Sequence, residues 1–119
     1  MNIEATIEKC DEAIFAKPNF SLLYYKRGDV YRQKALTSQQ KEDFNNAVND
    51  YTKAIELYPN FLSVYIVRGV TYADSKDFAK ALVDYNKAIV MEPKNLSVYF
   101  LRGQLYDEMK NYDLALAEF

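Results

Sequence analysis

Apolar residues recur at every third or fourth position through nearly the whole chain, as in SVYIVRGVTYADS (63–75) and FAKALVDYNKAIVM (78–91). That spacing gathers them on one face of an α-helix. The pattern is interrupted at Pro18, Pro59 and Pro93. Proline cannot donate an amide to a helix and disfavours helical geometry in the residue before it, so each one closes a helix. The periodicity predicts seven helices near residues 3–16, 21–35, 39–57, 62–74, 78–91, 96–109 and 112–119, and no strand.

The breaks themselves repeat. Each proline precedes a glycine by ten residues, Pro18 with Gly28, Pro59 with Gly69 and Pro93 with Gly103. The last two copies align without a gap at a period of 34: Tyr65 onto Tyr99, Tyr72 onto Tyr106, Phe78 onto Tyr112, Ala81 onto Ala115 and Tyr85 onto Phe119. The first copy stands 41 residues before the second at Pro, Gly and Tyr31, but 34 before it at Ala47, which places seven added residues between Tyr31 and Phe44. Seven residues are about two helical turns, enough to lengthen both antiparallel helices of the pair and keep their facing sides in phase. A Thr-x-x-Gln capping box at Thr37 and Gln40 would then start the second helix near Ser38. A flexible polar loop through QKALTSQQKED (33–43) is the alternative. Within a pair, the small residues Gly69, Ala81 and Ala88 let two backbones approach while Tyr72 and Tyr85 fill the flanking space.

The set Tyr65, Arg68-Gly69, Tyr72, Ala81, Tyr85, Ala88 and Pro93 resembles the tetratricopeptide repeat, and it recurs as Tyr99, Arg102-Gly103, Tyr106, Ala115 and Phe119. The first copy reads Tyr24, Arg27-Gly28, Tyr31, Ala47, Tyr51, Ala54 and Pro59, and arginine precedes each glycine where leucine is usual. The resemblance implies an all-α fold, a right-handed α-solenoid of antiparallel helix pairs in which stacked neighbours bury the core. In that frame the chain is a single repeat domain. It comprises a half repeat at 1–20, a repeat at 21–61 with the insertion, a repeat at 62–95 and an incomplete repeat at 96–119. It thus begins and ends inside a repeat, as expected of a piece of a longer solenoid. Ile3, Ile7 and Ile14 at one end, and Leu114 with Phe119 at the other, are expected to lack cover and to favour end-to-end or swapped homodimers.

Composition narrows the chemistry. Half of the 119 residues are hydrophobic, enough to bury a core, and 15 basic against 17 acidic residues lack the basic excess that nucleic acid demands. With no histidine and one cysteine, Cys10, the usual general base, a Cys–His pair and a disulfide are all missing. The isolated glycines form no phosphate loop. The expectation is a protein that is not an enzyme and takes no metal or cofactor. No apolar run approaches the roughly 20 residues of a membrane span. The opening MNIEATIEKCDEAI lacks the apolar stretch of a signal peptide, which fits an intracellular, cytoplasmic setting. Cys10 reads as a small core residue in an aromatic position.

Nine of the eleven tyrosines fall at repeated positions; Tyr25 and Tyr58 do not, and Tyr25 is the one placed to face a ligand. Arg27, Arg68 and Arg102 have Asp50, Asp84 and Glu118 on the second helix of their own pairs, which predicts Arg–carboxylate forks inside each repeat. Pairing with the preceding second helix would set Arg27 against Lys9.

The family resemblance implies a concave groove lined by the first helix of each pair. It assigns to that groove Leu22, Tyr25 and Asp29; then Ile66, Val67, Val70 and Asp74; then Phe100, Leu101, Gln104, Asp107 and Glu108. In the subgroup that clamps the acidic tails of the seventy- and ninety-kilodalton chaperones, the clamp places correspond to Tyr25, Asp29, Val67, Ser97 and Leu101, and all five depart from it. The expected partner is therefore a protein or peptide with apolar anchors and some basic residues, with self-association as the alternative. Groove residues are expected to contribute little to stacking, so that aspartate at Val67 and Leu101 would abolish capture and spare helicity.

Overall fold

The computed structural model describes residues 2–117, with side-chain surroundings through Tyr112. It forms six helices: α1 (Ile3–Ala16), α2 (Ser21–Ser38), α3 (Lys41–Leu57), α4 (Leu62–Asp74), α5 (Phe78–Met91) and α6 (Leu96–Ala117). No strand occurs among the described residues. Asn2 starts α1 by accepting the Ala5 amide on Oδ1 at 2.7 Å. The prolines end their helices in one manner. Lys17, Tyr58 and Glu92, each just before a proline, leave the helix with ψ of 73°, 88° and 84° while their amides still reach the alanine carbonyl four residues back.

The expected break between a sixth and a seventh helix is absent, since α6 runs unbroken for 22 residues. At the equivalent place between α4 and α5 the chain turns by putting Lys76 in the left-handed region at φ 69°. Lys110 lies 34 residues later but stays helical, and QLYDEMKNYDLALA (104–117) contains no glycine or proline to stop it. Without a packed second helix to reward the turn, local helix propensity prevails.

The seven added residues lengthen both helices of the first full pair. α2 has 18 residues against 13 in α4, and α3 has 17 against 14 in α5. Only Gln39 and Gln40 join α2 to α3, with Gln39 at φ 55°. The capping box does not form, because Thr37 belongs to α2 and Gln40 caps α3 without a side-chain bond. Ser38 serves instead, its hydroxyl accepting the Gln40 amide at 3.1 Å and donating to Asp43 Oδ2 at 2.6 Å. Polar as this tip is, it buries Ala35 and Phe44, and Lys34 Nζ ties Asp43 to Glu4 on α1 at 3.7 and 3.2 Å. Amide exchange should accordingly be slow at Ala35 and Ala47 and fast only at the Gln39–Gln40 link; uniformly fast exchange across residues 33–43 would contradict a folded tip.

The helices form two layers. α2 touches α4 and α4 touches α6, whereas α1, α3 and α5 touch only their neighbours in the chain. The even-numbered helices are therefore crowded together on the inside of a curve and the odd-numbered ones are splayed on its outside. The radius of gyration, 15.4 Å, exceeds the roughly 13.5 Å of a compact domain of this length, as an extended array requires. One core cluster holds Tyr24, Ala47, Tyr51, Ala54 and Val64, and a second holds Ala81, Tyr85, Ala88, Val98 and Leu105. Ile7 is buried, and Ile14 packs on the first cluster, so the N-terminal isoleucines are not the exposed surface they were expected to be. Phe15 is the open apolar side chain of α1. Leu114 and Phe119 lie outside the described side chains.

Candidate functional site

The two described Arg–carboxylate forks form as expected. Arg27 Nε and Nη2 donate to Asp50 at 2.8 and 2.7 Å, and Arg68 Nε and Nη2 donate to Asp84 at the same two distances. Each arginine also grips the preceding outer helix, where Nη1 of Arg27, Arg68 and Arg102 reaches Asp11, Thr52 and Asn86 at 2.9, 3.1 and 3.0 Å. Arg27 thus meets Asp11, not Lys9, because the side chain leans one half-turn further along α1. Glu118, the expected partner of Arg102, lies outside the described residues. Burial raises the Asp50 carboxyl although the Arg27 fork pulls it down, and the hydrogen bonds that Arg27 donates to Asp50 hold the guanidinium charged. These arginines join one pair to the next, so they hold the curve of the inner face and do not offer free charge on it.

On that inner face the sequence-predicted residues divide by burial. Leu22 and Phe100 are open, at 39% and 68% exposure. Ile66, Val70 and Leu101 are half-buried against the second core cluster, and Val67 against the first, so they do contribute to stacking. Tyr25 packs edge-on to Phe61 with ring centroids 5.1 Å apart, and burial raises its hydroxyl. Asp29 accepts a hydrogen bond from Tyr51 Oη at 2.7 Å; burial lifts its carboxyl, and with Asp29 it drives the Tyr51 hydroxyl upward as well. Arg32 Nη2 meets Asp74 at 3.3 Å across α2 and α4, and Lys76 Nζ meets Glu108 at 3.8 Å. Arg32 Nε is buried without a partner among the described residues. Burial and the nearby Asp74 and Glu108 push the Tyr85 hydroxyl up to about 12. Gln104, Asp107 and Glu108 are exposed on α6. The inner face thus carries ion-paired carboxylates at Asp74 and Glu108 beside the exposed Asp107, and open apolar side chains at its two ends.

A second concavity, about 880 Å³, lies between the α2–α3 tip and the α4–α5 turn, with Lys41, Asn45, Asn49, Lys76 and Lys80 in its walls. Only Asp74 links it to the predicted groove. The insertion was its one sequence signal, because a lengthened hairpin must overhang the next pair. Cys10 is half-buried and lies outside both core clusters, so it is not the core residue expected of its position; partial burial raises its thiol. Among the described residues no cluster of metal-ligating side chains occurs, and no helix is long and apolar enough to cross a membrane.

Stacked antiparallel helix pairs, an inner layer in mutual contact and arginines linking each pair to the last define an α-solenoid. Family models described as tetratricopeptide repeat match residues 28–61, 62–95 and 84–117, and the chain belongs to the tetratricopeptide repeat family. That family is in general one of protein-interaction modules and not of enzymes. Among curated proteins none matches the sequence. Solved structures share the fold at low identity. The Arabidopsis OM64 TPR domain superposes with a TM-score of 0.76 at 21% identity, over 89% of this chain and 82% of that one. The first TPR of Spaghetti (RPAP3), bound to the HSP90 peptide SRMEEVD, gives 0.78 at 18%, over 91% and 80%. The human IFIT1 dimer with PPP-AAAA gives 0.81 at 18%, over 92% of this chain and 26% of that chain.

Proposed function

We propose that the chain is an interaction scaffold whose inner face, made by α2, α4 and α6, receives an apolar, partly basic peptide or helix. The observation that carries this reading is the presence of open apolar side chains, Leu22 and Phe100, on one curved surface with the exposed carboxylate Asp107 and the ion-paired Asp74 and Glu108. Apolar anchors supply affinity; Asp107 steers Lys or Arg toward the face, and Asp74 and Glu108 can exchange their own cations for the partner's. The acidic peptide held by the Spaghetti domain is a poor fit to this surface, because Asp29, Val67 and Leu101 stand where a clamp would need cations or amides. A lone, half-buried Cys10 suits a reducing, intracellular setting.

Val67 and Leu101 are unsuitable for a test, since both pack on the core. Leu22→Asp with Phe100→Asp is the better pair. In a panel of peptides with Leu or Phe anchors flanked by Lys or Arg, the double variant should bind at least about tenfold more weakly, or ~1.4 kcal/mol, with an unchanged far-ultraviolet spectrum. Unchanged binding, or a preference of the native chain for acidic peptides, would refute the groove. A second reading, self-association, is favoured by the open face of α6.

A further inference from the structure

The outer helices leave a gap between each pair and the next, since neither α1 and α3 nor α3 and α5 touch. The first gap is bridged by the chain itself, with Lys34 Nζ between Glu4 on α1 and Asp43 on α3 at 3.2 and 3.7 Å. The second stays open as the concavity of about 880 Å³. Its base is the buried Phe44 with the half-buried Val48 and Tyr72. The lengthened α3 supplies one wall with Lys41, Asn45 and Asn49, and the α4–α5 turn and the start of α5 supply the other with Lys76 and Lys80.

The repeat does not dictate the α3 wall. Glu4 and Glu8 stand at the places of Asn45 and Asn49 in α1, 41 residues earlier as Pro18 stands before Pro59, and Ala79 and Val83 stand there in α5, 34 residues later. Both asparagines are exposed. The side-chain hydrogen bonds of α3 are made by Asp43, Asp50, Tyr51 and Thr52, and among the described residues Asn45 and Asn49 make none. Asparagine is a poorer helix former than alanine or glutamate, so two of them, unbonded and one turn apart, bring the helix nothing. They suit a ligand instead. Each side-chain amide carries the donor and acceptor of a peptide group, and the two stand about 6 Å apart along α3, close to the spacing of alternate residues in an extended chain. The charges around them favour anions. Lys41 has no ion pair among the described residues, and Lys76 and Lys80 hold only Glu108 and Asp77, at 3.8 and 3.7 Å between exposed side chains. The carboxylates in the walls are already engaged, Asp74 by Arg32 and Asp77 by Lys80. Lys80 Nζ stands 5.7 Å from the centre of the Tyr72 ring, over the base of the cleft.

We propose that the cleft between α3 and the α4–α5 turn is a second binding site, and that it takes an extended acidic segment of a partner protein. The segment's backbone lies along Asn45 and Asn49, an apolar side chain rests on Val48 and Tyr72, and its carboxylates meet Lys41, Lys76 and Lys80. The inner face disfavours the same segment, because Asp107 is exposed there. This inference is independent of the inner-face reading, since Asp74 alone borders both surfaces.

The 119-residue chain is titrated with a panel of end-blocked peptides of about eight residues carrying Asp or Glu at alternate positions, and with the same peptides carrying Asn or Gln instead. Nitrogen–proton correlation spectra should show shifts across residues 41–52 and 76–80 and none at Leu22 or Phe100. Lys41→Glu with Lys80→Glu should weaken binding at least about tenfold. Helicity should not change, because both lysines stand in the first turn of a helix, where glutamate is favourable. Asn45→Ala with Asn49→Ala should weaken binding about three- to tenfold, and Leu22→Asp with Phe100→Asp should leave it unchanged. Four results would each overturn the proposal: no acidic peptide binding with a Kd below about 1 mM, equal binding of the uncharged panel, indifference to the lysine or the asparagine substitutions, or shifts confined to the inner face. Displacement of the peptide by inorganic polyphosphate at equal charge would overturn it too, by reducing the cleft to an unselective anion patch.

Discussion

Alanine at Gly69 or Gly28 should destabilise the fold by about 2 to 3 kcal/mol, whereas alanine at Gly103 should stabilise the monomer by up to about 1 kcal/mol. The three glycines stand at the same place in the period, and only their surroundings differ. A methyl group on Gly69 would sit 2.7 and 2.9 Å from two ring carbons of Tyr85 and 3.2 Å from Asp84 Cβ. Tyr85 is buried between the helices and cannot swing away without opening the pair. Gly28 has the same relation to Tyr51 and Asp50. At Gly103 the added methyl is unopposed among the described residues, so the ordinary gain in helix propensity is all that remains. Urea denaturation of the three variants at a dilution where the chain is monomeric would read the contrast; three equal effects would mean that α6 is covered as its counterparts are.

Asp84→Ala should cost about 3 kcal/mol, while replacing both partners with Arg68→Met and Asp84→Leu should cost far less. The Asp84 side chain is 3% exposed and holds the Arg68 guanidinium by two bonds at 2.7 and 2.8 Å. Truncating it strands a cation that is itself only 17% exposed. A guanidinium gives up its proton only above about pH 12, so no accessible pH relieves the stranded charge by deprotonation. Removing both charges removes the desolvation penalty together with the attraction, and Thr52 loses one bond from the guanidinium. Thermal unfolding of the two variants decides the point, and a double variant as unstable as the single one would show that the fork itself, and not the stranded charge, sets the cost.

Much of this architecture is local in origin. Proline stops, the three- and four-residue spacing and the alignment of Arg27 with Asp50 and of Arg68 with Asp84 all act within a few dozen residues, and each is found where the period puts it. The seven-residue insertion was legible for the same reason, since two added turns can be absorbed by two helices without disturbing their facing sides. The fine structure of its turn was not. Ser38 outcompetes Thr37 because a left-handed Gln39 sets where α2 ends, and a capping motif cannot foretell that.

For the inner face, sequence and family resemblance together supplied a set of residues, but only packing sorted them. Val67 and Leu101 are apolar at positions assigned to the groove, yet they are claimed by neighbouring helices, while Leu22 and Phe100, indistinguishable from them in the period, stay open. Asp29 finds Tyr51 only when α2 and α3 close on each other, and Arg27 finds Asp11 only when one pair stacks on the helix before it. The sequence by itself determined most of the helical segments, where proline ends a helix and which charges pair within a repeat, because those depend on backbone geometry and short chain separations. Tertiary structure decided the rest. Whether residues 109–112 turn or continue, whether Gly103 is covered and which apolar side chains remain in water depend on what packs against them, and a period that is the same in every copy cannot encode that difference.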